Sequence, residues 1–530
     1  MGNYLNPGNE EFKRIIKSDY IDKTGLISII NSKLDTKKNL ICVSRPRRFG
    51  KSYAAQMLCA YYDCNCDSRQ LFDGYQIANT KDYSNFLNKY NVIYLDVTSF
   101  LSDANSSGTD INSIVRDIQK AIINDVAEEV ASINSNNSFT NIILKYVEAT
   151  ERKIVFIIDE WDAIIREAKD NDKLQAAYLN FLRGLFKNGN FTSKAVAGAY
   201  MTGILPIKKD GSESAVSDFD EFTIINPGKF AEYTGFSEAD IVKICAENKS
   251  DITIDELKAW YDGYSFPNGN PIYNPYSVTQ AIENGRLESY WRKTSAAENL
   301  FMYINMDFKG LQEDVARLIS GESLPVDVNN FNNDVETFNS KDDVLTLLIH
   351  LGYLSYDYDN KTVTIPNKEI RNEFESLIKN ESKSKLADLV NKSDKLLEYT
   401  LNLDGESVAK VIDTIRCSEY APTFYNNEQA LRYVIKFAYI SCVDTYKRIE
   451  ELPSGKGVAD VVYLPNRTSN LPALIVELKW NKTDEAAITQ IKEKDYPVVL
   501  RDYYGEIVLV GINYDEISKL HSCKIERVEK

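Results

Sequence analysis

The stretch "NLICVSRPRRFGKSYAAQMLCAYY", residues 39–62, decides the fold of the first half of the chain. The apolar or small residues 40–43 predict a buried strand, and "SYAAQMLCAYY" has apolar positions at helical spacing. The segment between them, Arg45-Pro-Arg-Arg-Phe-Gly-Lys-Ser52, is close to a phosphate-binding P-loop, and strand–loop–helix is the context that such a motif requires. Arg45 stands where the first glycine of the motif belongs, so a basic surface turn stays open as the alternative.

The chemistry of a P-loop assigns roles to these residues. Main-chain N–H groups and the helix N-terminus attract phosphate oxygens. Lys51 is then the candidate for the β- and γ-phosphates, and the Ser52 hydroxyl is a candidate Mg²⁺ ligand. Because Pro46 follows it, Arg45 is predicted to be extended. The candidate nucleotide-binding residues of this loop are Arg45, Pro46, Arg47, Arg48, Phe49, Gly50, Lys51 and Ser52.

A second motif, "ERKIVFIIDEWDAIIRE" at residues 151–167, supports the same chemistry. A continuous apolar run is typical of a buried parallel strand, and open α/β sheets place ligands at the carboxyl ends of such strands. There Asp159 is predicted to hold Mg²⁺ through water and Glu160 to orient the attacking water, although a helix cap is the alternative for the aspartate. The strand candidate at 194–207 ends near Thr202, a candidate sensor of the γ-phosphate or an ordinary β-branched strand residue.

Composition narrows the class of protein. A chain of 530 residues is too long for one hydrophobic core, so several domains are expected. Its two histidines and eight cysteines argue against a histidine-rich metal centre and a disulfide framework. No apolar run reaches the length of a membrane span, and the opening residues lack a signal peptide, so we expect a cytoplasmic protein without a membrane partner. A net charge of −16 argues against coating nucleic acid by bulk attraction.

The last third carries another candidate site, in residues 455–496. The pattern there predicts strand, turn, strand and helix. In "ALIVELKW" the period of two puts Glu477 and Lys479 on one face, and Asp460 lies within the preceding strand. If the strands pair, the two carboxylates can meet at one divalent cation, with Lys479 positioning a nucleophilic water or offsetting charge on a phosphate. The alternative is an edge strand whose charges face solvent.

Between these regions, residues 342–380 predict helix, turn, strand, turn, strand and helix, the pattern of a winged helix. The segment between the two predicted helices, "SYDYDNKTVTI", carries more acid than base, whereas phosphate contacts need lysine and arginine. A packing or regulatory role is therefore favoured over DNA reading.

Several motifs together resemble a bacterial AAA-ATPase-like family. They are "YIDKTGLISII" (20–30), "RPRRFGKS" (45–52), "FIIDEWDA" (156–163), "MTGILPI" (201–207) and "YDGYSF...YNPYSV" (261–278). The resemblance covers roughly residues 5–290. It implies a P-loop fold related to AAA+ ATPases, followed by a helical region, and it makes Arg45 a usual feature of the family's P-loop.

The C-terminal segment resembles the PD-(D/E)XK nuclease superfamily, in the branch commonly fused to this ATPase family. "GKGVADVV", "LIVELK" and "AITQIKEKDY" match its successive motifs. The resemblance implies that Gln490 and Tyr496 support the site and that Glu428 is a further metal ligand. Ala459 replaces the usual proline, which removes no ligand.

The resulting prediction is an α/β protein: a parallel AAA+-like P-loop sheet at 1–235, a helical and winged-helix-like connector at 236–385, and a restriction-endonuclease-like domain at 386–530. The predicted catalytic residues are Glu160, Asp460, Glu477, Lys479 and Gln490. The predicted metal ligands are Ser52, Asp159, Glu428, Asp460 and Glu477, with ATP and Mg²⁺ as cofactors and Mn²⁺ as a substitute at the nuclease site.

The function that follows is a bacterial ATPase whose nucleotide state regulates a metal-dependent nuclease or its assembly. DNA is favoured over RNA as a partner, and a homo-oligomer stays open. The alternative is a signalling ATPase with a C-terminal domain that binds nucleic acid or a protein partner without cleavage. A small-molecule kinase is disfavoured, because Glu160 suits hydrolysis and no acceptor-binding motif is visible.

Overall fold

The computed structural model divides the chain into two units. Unit 1 comprises residues 1–290 and 325–367, and unit 2 comprises 291–324 and 368–530. The predicted three-domain boundaries stay a prediction. The structure describes all residues except 1, 19, 134–136, 208–215, 217, 249, 267–270, 292–299, 301, 305, 307, 309, 330, 332–337, 381–384, 420–430, 433, 436–437, 441, 443–444, 455–456, 466–468, 494–499, 501–504 and 529–530.

Unit 1 is built on a five-stranded sheet with the order β2-β3-β4-β1-β5. All of its neighbouring strands are parallel. The strands are β1 (Leu40–Ser44), β2 (Asn91–Asp96), β3 (Ile154–Asp159), β4 (Val196–Gly203) and β5 (Asp220–Phe222). The predicted parallel P-loop sheet is confirmed. Because the strands are parallel, the carboxyl ends of β1, β3 and β4 lie at one edge of the sheet.

The apolar runs of these strands are explained by burial on both faces. Every residue of β1, β3 and β4 is buried. In β3, residues 154, 156 and 158 enter one hydrophobic core, whereas 155 and 157 enter a second core on the other face. Successive side chains of a strand point to opposite faces, so a strand covered on both sides needs apolar residues throughout.

Helices supply the two covering layers. In residues 1–220 their bounds are Glu10–Ile15, Gly25–Asn31, Lys51–Tyr62, Arg69–Phe72, Tyr83–Phe86, Val97–Ser107, Ile114–Glu129, Phe139–Thr150, Ala163–Glu167, Asp172–Phe186 and Gly189–Ala195. Short 3₁₀ turns occupy Gln76–Asn79, Ile111–Ser113 and Gly228–Tyr233. The helix Lys51–Tyr62 follows the P-loop segment, as predicted.

The rest of unit 1 has a smaller core of its own. The helices Glu238–Asn248, Ile254–Tyr261 and Pro275–Asn284 pack around residues such as Tyr273 and Tyr290. The last of these helices begins with proline at its first turn and is capped by the Asn274 side chain. A short hairpin, β6 (Tyr264–Ser265) and β7 (Pro271–Ile272), precedes it.

The segment with the winged-helix pattern has the predicted order of elements. The helix Lys341–Leu351 is followed by β9 (Ser355–Asp357), β10 (Thr362–Thr364) and the helix Lys368–Asn380, and the two strands pair antiparallel. A two-residue strand, β8 (Leu324–Pro325), comes before them in the chain. Assignment of this segment as a winged helix stays a prediction.

Unit 2 contains a second five-stranded sheet, in the order β11-β12-β13-β14-β15. The strands are β11 (Tyr446–Ser454), β12 (Gly457–Pro465), β13 (Ala473–Trp480), β14 (Ile507–Asp515) and β15 (Leu520–Arg527). Only β13 and β14 pair in parallel among these described strands; the other pairs are antiparallel. A parallel pair needs a crossover, and the helix Asp484–Glu493 supplies it.

That crossover helix packs closely on the sheet. At Gly511 of β14 a Cβ atom would lie 2.6 Å from the Asp484 carbonyl oxygen, so only glycine allows this approach. Further helices of unit 2 include Leu311–Ile319, Lys368–Asn380, Lys385–Leu401 and Gly405–Glu419. The predicted strand–turn–strand–helix order of residues 455–496 is confirmed for its described part.

Candidate functional site

The P-loop segment forms an open cradle at the end of β1. The strand ends at Ser44, the loop covers residues 45–50, and the helix begins at Lys51. Gly50 is the N-cap residue, with φ +85°, and a Cβ atom placed on it would have no other atom within 4 Å. Glycine therefore provides both the left-handed backbone and the free space in front of the helix N-terminus, where an anion is favoured.

The Arg45 side chain links the P-loop segment to other parts of unit 1. Its side chain is fully buried and donates hydrogen bonds to the Thr234 hydroxyl and to the carbonyl oxygens of Ser44 and Phe222, at 2.8–2.9 Å. Burial lowers the pKa of the guanidinium to about 10. The main-chain N–H of Arg45 donates to the Gly203 carbonyl and so continues the contact between β1 and β4. The contacts with nucleotide predicted for Arg45 stay a prediction.

Arg48 and Phe49 also contact the segment that follows the sheet. The Arg48 guanidinium lies 3.9 Å from the ring centroid of Tyr276 and donates a 2.6 Å hydrogen bond to the Tyr290 carbonyl. The Phe49 ring packs edge-on against Tyr264, with 5.2 Å between centroids. The basic and aromatic side chains of this loop thus connect it to residues 222–290, which the sequence alone did not indicate.

Lys51 and Glu160 form an ion pair at the mouth of the cradle. The Lys51 ammonium lies 3.2 Å from the Glu160 carboxylate and donates a 3.0 Å hydrogen bond to the Pro46 carbonyl. Glu160 has φ +51°, a left-handed conformation that is uncommon outside glycine. Such backbone strain concentrates at functional sites.

Arg166 holds Glu160 from the other side. Its guanidinium lies 2.7 Å from the Glu160 carboxylate and 2.9 Å from that of Asp162. Burial opposes ionisation of Glu160, but Lys51 and Arg166 beside it lower its pKa below the usual value. The carboxylate is therefore kept charged in a largely enclosed place.

Asp159 is the more buried acid of the pair at the end of β3. Its carboxylate accepts a hydrogen bond from the Thr202 hydroxyl. Burial raises the pKa of Asp159, and the nearby hydroxyls of Ser52 and Thr202 partly offset the rise. Thr202 also accepts a hydrogen bond from the Glu160 N–H, at 3.3 Å. The ends of β3 and β4 and the start of the helix thus bring Ser52, Asp159 and Thr202 together.

Sequence reasoning missed Asp162 and Arg166. Asp162 is fully buried, and one of its oxygens accepts hydrogen bonds from the N–H groups of Ile204 and Leu205. It thereby fixes the chain after β4, and Arg166 reaches both it and Glu160. The signal was present in "DEWDAIIR": an aspartate and an arginine four residues apart share a face of a helix.

A second cluster lies between β12 and β13 of unit 2. Val461 pairs with Val476, so the register continues to Asp460 opposite Glu477. Both carboxylates and the Lys479 ammonium are buried, and Lys479 lies 3.2 Å from Glu477. The Gln490 amide from the crossover helix donates to the same Glu477 oxygen. The predicted group of Asp460, Glu477, Lys479 and Gln490 is thus brought together.

Arg432, which sequence reasoning missed, completes this cluster. Its guanidinium lies 2.7 Å from one Asp460 oxygen, and the other oxygen accepts a 2.8 Å hydrogen bond from the Leu478 N–H. Glu428 and Tyr496 lie outside the described residues. In the part of the chain that is described, no group of three or more His, Cys, Asp or Glu side chains could hold a metal ion. Metal binding by Asp460 and Glu477 stays a prediction.

Comparison with known proteins agrees with the fold of unit 1. Residues 7–212 match the model of the AAA-ATPase-like family, described as a predicted AAA-ATPase. The P-loop, Asp159, Glu160 and Thr202 all lie within the matched range. The N-terminal region is thus AAA-ATPase-like.

An uncharacterized protein in the vnfD 5′ region of Azotobacter chroococcum mcd 1 is 24% identical over 292 residues, which cover 54% of this chain and 53% of that protein. The chain spans about half the length of this curated relative.

Two solved structures are also similar. The Aeropyrum pernix ORC2 protein is 10% identical with a TM-score of 0.32, and the match covers 70% of this chain and 98% of that chain. A replication initiator DnaA bound to AMPPCP and single-stranded DNA is 14% identical with a TM-score of 0.29, covering 74% and 95%. At such TM-scores we draw no conclusion about this chain from either structure. Across the described residues, no helix is both long and apolar enough to cross a membrane.

Proposed function

We propose that unit 1 binds ATP with Mg²⁺ and hydrolyses it. The observation that carries this proposal is the meeting of Lys51, Asp159 and Glu160 at one edge of a parallel sheet, beside an open helix N-terminus. A triphosphate needs a cation and N–H groups at its oxygens, and its hydrolysis needs a carboxylate to orient water. The AAA-ATPase-like match of residues 7–212 agrees with this assignment.

The residues present fit a magnesium nucleotide. Ser52 is exposed at the first turn of the helix, and its hydroxyl is near enough to the buried Asp159 carboxylate to lower the pKa of that acid. A hydroxyl and a carboxylate are hard oxygen donors, the kind that Mg²⁺ prefers. When bound, Mg²⁺ would neutralise negative charge on the phosphate oxygens.

In the proposed reaction Lys51 exchanges the Pro46 carbonyl and Glu160 for phosphate oxygens. Glu160 then orients water, with Arg166 keeping it ionised and in place. Thr202, which contacts both Asp159 and the Glu160 N–H, aligns the two acids. These roles assign Lys51 to binding and Glu160 to turnover.

The test separates binding from turnover. Lys51→Ala should lose ATP binding, whereas Glu160→Gln should bind ATP but turn over roughly a hundredfold more slowly or worse. Lys37→Ala and Glu148→Gln, at exposed positions of the same unit, are the matched controls and should behave as wild type. Equal binding and hydrolysis in Lys51→Ala and wild type would refute the proposal.

We further propose that unit 2 cleaves phosphodiester bonds in nucleic acid with the help of a divalent cation. The observation favouring this function is the buried group of Asp460, Glu477 and Lys479 on one face of two paired strands. Burying charged side chains is costly even when they are paired, so such a group is expected to serve a site. Carboxylate oxygens are the type of ligand that a hard divalent cation prefers, and Asp460 and Glu477 supply them beside Lys479.

In this role Lys479 positions water or offsets charge on the phosphate, and Gln490 fixes the Glu477 carboxylate. DNA is the favoured substrate, and nucleotide state in unit 1 is proposed to control the cleavage or the assembly of the protein. The alternative is a signalling ATPase whose C-terminal domain binds nucleic acid or a protein partner without cutting.

A substrate panel distinguishes these functions. Linear, branched and single-stranded DNA and RNA would be incubated with Mg²⁺ or Mn²⁺, each with ATP, ADP or no nucleotide. Cleavage should be lost in Lys479→Ala and kept in Lys492→Ala, a lysine of the same unit whose side chain is 53% exposed. Identical cleavage with ATP, ADP and no nucleotide would contradict the coupling. ATP hydrolysis without any cleavage would favour the signalling alternative.

A further inference from the structure

In the Asp460 and Glu477 cluster of unit 2, the Arg432 guanidinium lies where a metal ion is expected to bind. Arg432 contacts one oxygen of Asp460 at 2.7 Å, and the side chains are only 15% and 11% exposed. The other Asp460 oxygen accepts from the Leu478 N–H at 2.8 Å. Both oxygens of the predicted metal ligand are thus engaged by donors of the chain itself.

Among the described side chains of the site, the charges balance. Asp460 and Glu477 are paired with Arg432 and Lys479, two negative charges with two positive charges. A divalent cation added to this group would leave an excess of positive charge in a mostly buried place, where charges interact more strongly than in water. If Arg432 moves away, the remaining two carboxylates and one ammonium have a net negative charge that attracts a cation.

We propose that Arg432 competes with the divalent cation for Asp460, so that metal binds only when Arg432 leaves the carboxylate. This inference rests on the proposed metal-dependent function of unit 2. A guanidinium that leaves a carboxylate is well suited to a phosphate, because both anions accept two parallel hydrogen bonds from it. Arg432 would therefore pass from Asp460 to a phosphate of the nucleic-acid backbone, and substrate and metal would favour each other's binding.

The experiment measures Mn²⁺ binding by the full chain, by calorimetry and by Mn²⁺ electron paramagnetic resonance, without any substrate. Arg432→Gln removes the charge and keeps a hydrogen-bond donor. Arg432→Met keeps the aliphatic length and serves if the glutamine variant does not fold, as judged by circular dichroism. Arg432→Lys retains the charge, and Asp460→Asn removes the metal ligand.

We expect Arg432→Gln or Arg432→Met to bind Mn²⁺ roughly tenfold more tightly or better than wild type, since a neighbouring charge commonly changes ionic equilibria by this much. Arg432→Lys should stay close to wild type, and Asp460→Asn should abolish the binding. Suppose that Mn²⁺ binding depends on Asp460 but is unchanged or weaker in the variants without Arg432. This result would refute the proposed competition and would still support a metal site at Asp460. Absence of Asp460-dependent Mn²⁺ binding in every variant would overturn the metal-dependent function itself, and the competition with it.

Discussion

The ammonium group of Lys51 lies 3.2 Å from the carboxylate of Glu160. The residue predicted to bind the triphosphate therefore neutralises the residue predicted to orient water. When Lys51 turns to a phosphate, Arg166 remains as the cation at 2.7 Å from Glu160. This arrangement makes Arg166 a positioning residue for the proposed hydrolysis.

Arg166→Ala is expected to change the pH dependence of ATP turnover. Burial opposes ionisation of Glu160, and Lys51 and Arg166 lower its pKa, so loss of Arg166 should raise that pKa. Turnover requires the ionised carboxylate, which means that the acid limb of the kcat profile should move to higher pH. Measurement of kcat and KM across the acid and neutral range tests this shift.

Arg166→Lys is the control, because it keeps the positive charge and should keep the acid limb near that of wild type. KM should change little in either variant, since Arg166 contacts Glu160 and Asp162 and not the loop 45–50 in the described contacts. A profile of Arg166→Ala that coincides with wild type would contradict the positioning role.

Gly50→Ala should weaken nucleotide binding more than it weakens the fold. At φ +85° a side chain costs about 1 kcal/mol, and its Cβ would enter the open space in front of the helix. Gly108→Ala is a matched control: its φ is +67°, a Cβ there also has no other atom within 4 Å, and it lies at the end of another helix.

Unfolding in urea should show a similar loss in the free energy of unfolding for both variants, whereas binding of a fluorescent ATP analogue should fall only in Gly50→Ala. Equal ATP affinity in the two variants would contradict nucleotide binding in the open space in front of this helix.

The sequence predicted the centre of the first site because local patterns encode it. The apolar run before Asp159 is typical of a strand buried on both faces, and Gly-Lys-Ser after a strand is typical of the start of a helix. The parallel order of strands then requires their ends to meet at one edge. The side-chain partners of Arg45 could not be predicted, because Thr234 and Phe222 lie 189 and 177 residues away in the chain.

The second site shows the same limit of local patterns. The alternation in β13 placed Glu477 and Lys479 on one face, and the two-strand pattern brought in Asp460. Arg432 belongs to an earlier part of the chain, and nothing in its neighbours distinguishes it from a solvent-exposed arginine. Only the tertiary packing of unit 2 gives it a carboxylate partner.

Arg48→Ala should destabilise unit 1, since Arg48 stacks on Tyr276 and bonds the Tyr290 carbonyl. A partly desolvated cation–π contact and a charged hydrogen bond together suggest a loss of about 1–3 kcal/mol in the free energy of unfolding. Tyr276→Phe keeps the ring and should have little effect, whereas Tyr276→Leu should resemble Arg48→Ala. In the double variant Arg48→Ala/Tyr276→Leu the losses should be less than additive. Strict additivity would show that the ring and the guanidinium do not interact.

His350→Leu should make the stability of unit 1 less sensitive to acid. His350 is buried in the helix Lys341–Leu351, and burial lowers the pKa of its imidazole from 6.5 to about 3. Below pH 6.5 the unfolded chain binds a proton that the folded chain refuses, so the free energy of unfolding falls as the pH falls towards 3. One such group contributes up to about 1.4 kcal/mol per pH unit across that interval.

Urea unfolding at a series of pH values checks this expectation. His350→Leu should remove most of that slope, and at neutral pH it should be as stable as wild type or more so, because Nδ1 of the buried imidazole has no hydrogen-bond partner among the described residues. His350→Asn provides the control, since it removes the titration but keeps a buried polar group, and should be less stable than His350→Leu at every pH. A slope in His350→Leu equal to that of wild type would assign the acid sensitivity to other groups.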